Sequence, residues 1–363
     1  MEENKSQNNL IVIEIPTPKI VSKKIEIHFS SSENLPQFKQ NSFWFEYPTV
    51  DAKYLTKEVG WHIALNVIVA KLGELKNHSI IKCEEEIPES LLRFLQIYNN
   101  AFHVDIQPIK KENNHDLFFK KRNDLAHREL SKKPGLLFGG GKDSLASLGL
   151  LLETGTNVGL ISYSFSYIGQ VIQNEKRREE NSAIKYAKEK GINVDIIRTN
   201  IVHLLAKSPL HFELYTSSVL PVLNARDYGN LLFCVEMCHY YTSTNGQVNK
   251  IPRFRRSRPE INRLISSHYK SNLGVNCNVL NLHLPISEYG TYLLLTKRYS
   301  ELLPNLLMCE GSTDSKIKWC GNCTKCAEHV IFSLASNTKS EINPDDFFKN
   351  SPWILNKILP KLK

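Results

Sequence analysis

The 363-residue chain has no run near the ~18 apolar residues that a membrane-spanning helix needs, which argues against an integral membrane protein. Its start, Met1-Glu2-Glu3-Asn4-Lys5, lacks the basic opening and apolar middle of a secretory signal. The expectation is therefore a cytoplasmic protein with no membrane partner. There is no internal repeat and no low-complexity tract. No histidine stands in a recognisable nucleophile setting, so a Ser-His or Cys-His triad has little support. What is present is ordinary for a globular chain: 41% hydrophobic and 23% charged residues. The formal net charge of +9 is compatible with anionic partners. The lysines are scattered, however, so nucleic acid is possible but not favoured.

Residues 10–15 and 24–29 read as strands, the second alternating polar and apolar residues. Residues 57–74 read as a helix with Val59, Ile63, Ala64, Val67 and Ile68 on one face. Residues 79–83 read as a strand, and 88–98 as a helix opened by Pro88. Residues 1–130 thus read as an α+β module with no nameable chemistry. The texture changes at Lys132-Lys133-Pro134. Strands are expected at 135–138, 158–165 and 194–198, with helices at 144–152 and 177–190 between them. This alternation predicts a parallel sheet covered by helices. Residues 231–241 read as a buried helix, and 261–269 and 292–303 as later helices.

The most informative segment is Leu136-Leu137-Phe138-Gly139-Gly140-Gly141-Lys142-Asp143-Ser144. An apolar strand delivers the chain to three glycines, which can adopt positive φ and bring backbone N–H groups against a ligand. A helix follows, and its N-terminal N–H groups and dipole suit phosphate or pyrophosphate. Lys142 adds a point charge, Ser144 a hydroxyl, and Asp143 can cap the helix or help hold Mg²⁺. The Walker loop requires Gly-Lys-Ser/Thr, but here Asp143 follows the lysine. The dinucleotide fingerprint GxGxxG would need glycine at 142 or 144, and neither is glycine. The competing reading is a glycine-rich turn that binds nothing.

Four of eight cysteines crowd together as Cys309, Cys320, Cys323 and Cys326, in the pattern C-x10-C-x2-C-x2-C. Four thiolates suit a tetrahedral, closed, structural Zn²⁺, although an iron–sulfur cluster uses the same ligand set. Cys234 and Cys238 lie four apart on the expected apolar helix and read as buried cysteines. Ser162 and Tyr163, at the end of the second strand, could line adenine or ribose or be ordinary strand residues. Arg253, Arg255, Arg256 and Arg258 could meet a triphosphate, nucleic acid or an acidic partner, or form a solvated loop.

Gly139-Gly140-Gly141-Lys142-Asp143-Ser144 resembles the Ser-Gly-Gly-x-Asp-Ser PP-loop of N-type ATP pyrophosphatases, with Gly139 where that family usually has serine. The cysteine spacing resembles the zinc segment of 7-cyano-7-deazaguanine synthase and its enlarged relatives, which occur in anti-phage systems and in a peptidoglycan-precursor epimerase. Residues 220–226, Thr244-Asn245-Gly246 and residues 282–298 resemble further pieces of that family more loosely. The resemblance spans roughly residues 133–335. It implies an adenine-nucleotide alpha hydrolase-like (HUP/PP-loop) α/β domain at 131–345, including the zinc knot at 309–326. A smaller α+β domain at 1–130 would precede it and a tail at 346–363 would follow. It further implies ATP and Mg²⁺ as reactants and an adenylating, AMP-forming reaction in which an activated carboxylate is joined to an amine or ammonia. ATP would lie on Gly139, Gly140, Gly141, Lys142, Asp143, Ser144, Ser162 and Tyr163, with Arg226 and Lys297 as further phosphate or substrate contacts. The acceptor would be a small molecule, such as a 7-deazaguanine carboxylate, or a protein terminus. A partner protein could dock through the N-terminal module, and similar synthases form homodimers. The alternatives are an ATP-dependent tRNA-modifying enzyme of the thiolation type, a non-catalytic assembly component and a peptidoglycan-precursor epimerase-like enzyme. No cysteine pair shortly after the glycine loop supports the first, and retention of Lys142, Asp143 and Ser144 opposes the second.

Overall fold

The computed structural model describes residues 10–33, 35, 38–73, 75, 78–109, 131, 133–165, 182–201, 212–235, 241–244, 247–250, 258–309 and 318–351. Strands β1 (Ile11–Ile15), β2 (Lys19–Val21), β3 (Lys24–His28), β4 (Ser30–Ser31) and β5 (Ser42–Glu46) precede helix α1 (Lys57–Leu72). Then come β6 (Ser79–Cys83), α2 (Glu89–Asn99) and β7 (Val104–Pro108). From residue 134 strands and helices alternate: β8 (Pro134–Leu137), α3 (Lys142–Glu153), β9 (Gly159–Phe165), α4 (Ser182–Glu189) and β10 (Val194–Thr199). Helices α5 (Phe212–Ser218) and α6 (Leu220–Arg226) lead to β11 (Asn230–Phe233). The order ends with β12 (Tyr241–Thr244), β13 (Gln247–Lys250), α7 (Pro259–Asn272), β14 (Asn278–Asn281), α8 (Glu288–Leu293), α9 (Thr324–Ala335) and α10 (Pro344–Asn350). Among the described residues no helix is long and apolar enough to cross a membrane.

The chain is an α/β protein with mixed, mostly parallel sheets. The larger sheet has the order β14-β11-β8-β9-β10-β5-β3-β2. Helices α3 and α4 fill the β8–β9 and β9–β10 connections, as crossovers between parallel neighbours require. The chain lays β8, β9 and β10 outward in one direction, then returns past β8 to add β11 and β14 on its other side. The strand order therefore reverses between β8 and β11. The antiparallel strands β5, β3 and β2 continue the sheet beyond β10. A second sheet, β4-β1-β6-β7, pairs β1, β6 and β7 in parallel with Ile11 opposite Ser79 and Ser79 opposite Val104.

Two compact units are interleaved along the chain. The first comprises residues 1–135, 195–231 and 252–280. Its central element is α1, capped by the Thr56 side chain on the Val59 N–H. Every residue from Val59 to Leu72 is buried, so the expected single apolar face is a helix enclosed on all sides. His62 lies in this interior, with its Nε2 3.0 Å from His268 Nε2, and Phe94 stacks on His268 at 3.7 Å between ring centres. Burial pushes the His62 imidazole down to about 3 and holds His268 well below the usual histidine range.

The second unit comprises residues 136–194, 232–251 and 281–363. Leu136, Leu145, Leu148, Leu160, Ile184 and Leu302 form its core. Gly149 on α3 sits against the Tyr299 ring: a Cβ there would lie 2.5 Å from Tyr299 Cγ, so any larger residue would have to displace the ring.

Two helix expectations are corrected. Residues 230–233 are strand β11 rather than the start of a helix, and 236–240 lie outside the described residues. A short apolar run such as Leu231-Leu232-Phe233 carries no period that separates strand from helix, and its place beside β8 in the sheet decides it. The helix expected at 292–303 is broken into α8, a π turn at Leu294–Arg298 and a 3-10 turn at Ser300–Asn305 that contains Pro304. Residues 177–181 of the expected 177–190 helix lie outside the described residues.

Gly149→Ala is expected to lower unfolding free energy by about 1–3 kcal/mol, the usual cost of overpacking, in urea denaturation at pH 7.5. A second expectation concerns acid. The unfolded chain protonates its histidines near ~6.5, whereas the folded His62–His268 pair stays neutral until far lower pH. Stability should therefore fall as pH drops below ~6.5, and His62→Gln should flatten that slope in urea midpoints measured from pH 7 to 4.5.

Candidate functional site

β8 ends at Leu137, and the Phe138 N–H still donates to the Ile161 carbonyl of β9 at 2.8 Å. The glycine loop therefore leaves directly from the carboxyl end of a central strand. Gly140 takes φ 75°, the left-handed conformation that favours glycine, and Gly141 is the extended N-cap of α3. A Cβ at Gly139 would meet nothing among the described residues within 4 Å, so the local backbone would accept serine there. The Gly140 carbonyl accepts the Leu307 N–H at 2.8 Å, which ties the segment entering Cys309 to the loop.

Lys142 opens α3 with its side chain 3% exposed. Its ammonium lies 2.8 Å from Asp143 Oδ1 and 3.3 Å from Glu288 Oε1. Lys325 Nζ approaches the same Glu288 oxygen at 3.6 Å and Glu328 at 2.8 Å. Ser144 Oγ donates to the Gly141 carbonyl at 3.1 Å, so in this state its hydroxyl braces the loop. Lys142, Asp143 and Ser144 thus come together, and Glu288, Lys325 and Glu328 join them. No motif in the sequence marked these last three: they come from two distant elements, α8 and α9.

Ser162 and Tyr163 are buried on β9. Their neighbour Ser164 is fully buried, and its hydroxyl has no partner among the described residues, an orphan at the carboxyl end of a central strand. Arg226 belongs to the first unit, where its Nε and Nη2 grip the buried Asp195 carboxylate and Nη2 also donates to the Thr49 carbonyl. The side-chain bond to Asp195 raises its already high pKa. Lys297 is exposed on the π turn. Arg253, Arg255 and Arg256 lie outside the described residues, and Arg258 is the N-cap residue of α7.

Cys234 is not on a helix but directly follows β11, half-buried, with Sγ 2.8 Å from Ser147 Oγ of α3. Ser147 also meets His283 Nε2 at 2.8 Å, and Asn281 clasps the Val235 backbone through both its amide atoms. These bonds fix the segment after β11 to α3. Cys238 lies outside the described residues.

The four sulfurs of Cys309, Cys320, Cys323 and Cys326 lie within 4.8 Å of one another, with Cys323–Cys326 at 3.5 Å and Cys320–Cys326 at 3.8 Å. A tetrahedron of sulfurs ~2.3 Å from a central ion has edges of about 3.8 Å. Cys320 N–H donates to Cys309 Sγ and Asn322 N–H to Cys320 Sγ, the bonds that stabilise thiolate ligands. The adjacent Cys323 sulfur, then burial, holds the Cys326 thiol far above its usual range, and burial raises Cys320 as well. A bound cation reverses this, since it favours the thiolates directly. The cluster can hold a metal ion such as zinc. Gly321, at φ 68°, turns the chain between the second and third cysteines.

No protein-family model and no curated protein matches the chain. The site presents helix N-terminal amides, two ammonium groups and three carboxylates at the mouth of a parallel sheet, beside a thiol cluster with metal-binding geometry.

Protein purified without chelator is expected to carry about one metal ion per chain, measured by plasma mass spectrometry. The Cys320→Ser/Cys323→Ser double variant should lose it and melt at lower temperature in calorimetry.

Proposed function

We propose that the chain is a PP-loop ATP pyrophosphatase, similar to 7-cyano-7-deazaguanine synthase, that activates a carboxylate by adenylation. The observation that carries the reading is the place of the glycine loop. It leaves the carboxyl end of β8 where the strand order reverses between β8 and β11, and it starts α3. In open α/β sheets this crevice is where ligands bind, and a helix N-terminus there suits a phosphate. The order of the five strands β8, β9, β10, β11 and β14 is that of a doubly wound nucleotide-binding sheet, which supports the HUP-type assignment. The buried Ser164 hydroxyl on β9, without a partner among the described residues, supports a polar ligand near the carboxyl end of that strand.

In this reading an acceptor carboxylate oxygen attacks the α-phosphorus of ATP, the bond to the bridging oxygen breaks, and pyrophosphate leaves. An amine or ammonia then attacks the acyl carbon, and AMP departs. The loop amides and Lys142 hold the departing pyrophosphate, so catalysis is alignment and charge stabilisation rather than covalent chemistry by the protein. Mg²⁺, when bound, neutralises phosphate charge, and the half-exposed Asp143 is the carboxylate beside the loop that would hold it. Zinc on the four cysteines would be structural, because four thiolates leave no open position.

The test is pyrophosphate release from ATP and Mg²⁺, with 7-carboxy-7-deazaguanine present or omitted. Release that requires the deazaguanine and falls at least ~100-fold in Asp143→Ala supports both the chemistry and the substrate class. Wild-type protein that binds ATP but releases nothing rejects this deazaguanine as a sufficient acceptor. Protein that neither binds nor cleaves ATP rejects the reading itself.

A further inference from the structure

We infer that Lys325, set between two cysteines of the thiol cluster, is a phosphate-binding residue of the glycine-loop site, and that metal binding at the cluster holds it there. This rests on reading the loop as a nucleotide site. Lys325 is the second residue of α9, with Cys323 as the N-cap and Cys326 as the next residue. Its ammonium and that of Lys142 share one oxygen, Glu288 Oε1, at 3.6 Å and 3.3 Å. Glu288 therefore bridges a lysine of the loop to a lysine of the cluster. The cluster reaches the loop a second time: Leu307, whose N–H bonds the Gly140 carbonyl, lies two residues before Cys309. The segment entering Cys309 thus bonds the loop directly, and α9 reaches the loop's lysine through Glu288.

The charge balance says what would bind. Among the described residues, two ammonium groups and three carboxylates (Asp143, Glu288 and Glu328) sum to a formal charge of −1. Such a group repels a bare polyphosphate and accepts one that arrives with a divalent cation. Asp143 and Glu288 offer the oxygen ligands that a hard cation prefers. Each carboxylate it engages releases an ammonium to phosphate oxygens, Lys142 from both and Lys325 from Glu288. Glu328, three residues along the same helix, orients Lys325 through a 2.8 Å ion pair. The Lys325 side chain is 30% exposed, so a ligand can reach it. The matching ligand is a nucleoside triphosphate or pyrophosphate carried with Mg²⁺.

Isothermal titration calorimetry of the full-length protein with ATP, with and without Mg²⁺, tests this. Bound metal at the cysteines is counted by plasma mass spectrometry on the same samples. Lys325→Met is expected to weaken Mg²⁺–ATP binding about tenfold to a hundredfold, the scale of one charge-assisted hydrogen bond, while keeping the metal. Lys325→Arg should restore most of the affinity, which a purely structural role would not predict. The Cys320→Ser/Cys323→Ser variant, if still folded by circular dichroism, should show the same weakening; if it does not fold, partial metal removal from wild type replaces it. Lys325→Met that binds like wild type, when Asp143→Ala does not, overturns the inference and leaves the nucleotide reading in place. Loss of metal from Lys325→Met also overturns it, because the lysine would then serve the cluster. Wild type with no affinity for ATP removes both.

Discussion

A charged lysine enclosed at the first residue of a helix has to be answered by carboxylates, because desolvating an unpaired ammonium costs several kcal/mol. Lys142 is in that position, and Asp143 and Glu288 answer it. Asp143 comes with the motif, but Glu288 arrives from α8, more than 140 residues later. The demand of one buried charge thus recruits a distant element, and through Lys325 it draws in the helix that carries Cys326 and is capped by Cys323. The loop, α8 and the thiol cluster form one electrostatic unit.

The sheet provides the rigidity this arrangement needs. β8 lies between β11 and β9, and its exit is held by the Phe138–Ile161 bond. The helix that follows is pressed so closely on Tyr299 that a Cβ at position 149 would force the ring to shift. Ser147 then links α3 to Cys234 after β11 and to His283 after β14. The carboxyl ends of three strands are therefore fastened to the same helix whose N-terminus faces the loop. A flexible glycine triplet is held between fixed ends, which suits a loop that must approach a ligand closely.

Arg226 illustrates how the same residue type reads differently once its surroundings are known. Its sequence setting resembled a substrate-contacting arginine. In the fold it holds Asp195, a carboxylate 1% exposed, and the Thr49 carbonyl. A buried carboxylate with a fork-shaped partner is a stabilising arrangement within the first unit, since removing either member strands the other. Lys297 and Lys325 make the opposite pair: the lysine that family pattern suggested is exposed on a turn, whereas the one set between cysteines meets Glu288 of α8, the carboxylate that also answers Lys142.

The sequence alone determined what depends on neighbours in the chain. Gly139 to Ser144 spelled a strand-to-helix turn because glycine conformations and a helix start are local properties, and β8, β9, β10 and α3 followed from alternation and apolar runs. The thiol cluster was legible because three of its ligands lie within seven residues, 320–326, close enough for any fold to gather them. Tertiary structure decided what depends on distance. It placed residues 230–233 in the sheet as β11, enclosed α1 on every side, and reversed the strand order beside β8. It also brought Glu288, Lys325 and Glu328 to the loop. Periodicity cannot foresee such placements, since a carboxylate on a short helix looks the same whether it faces water or a buried ammonium, and only packing says which.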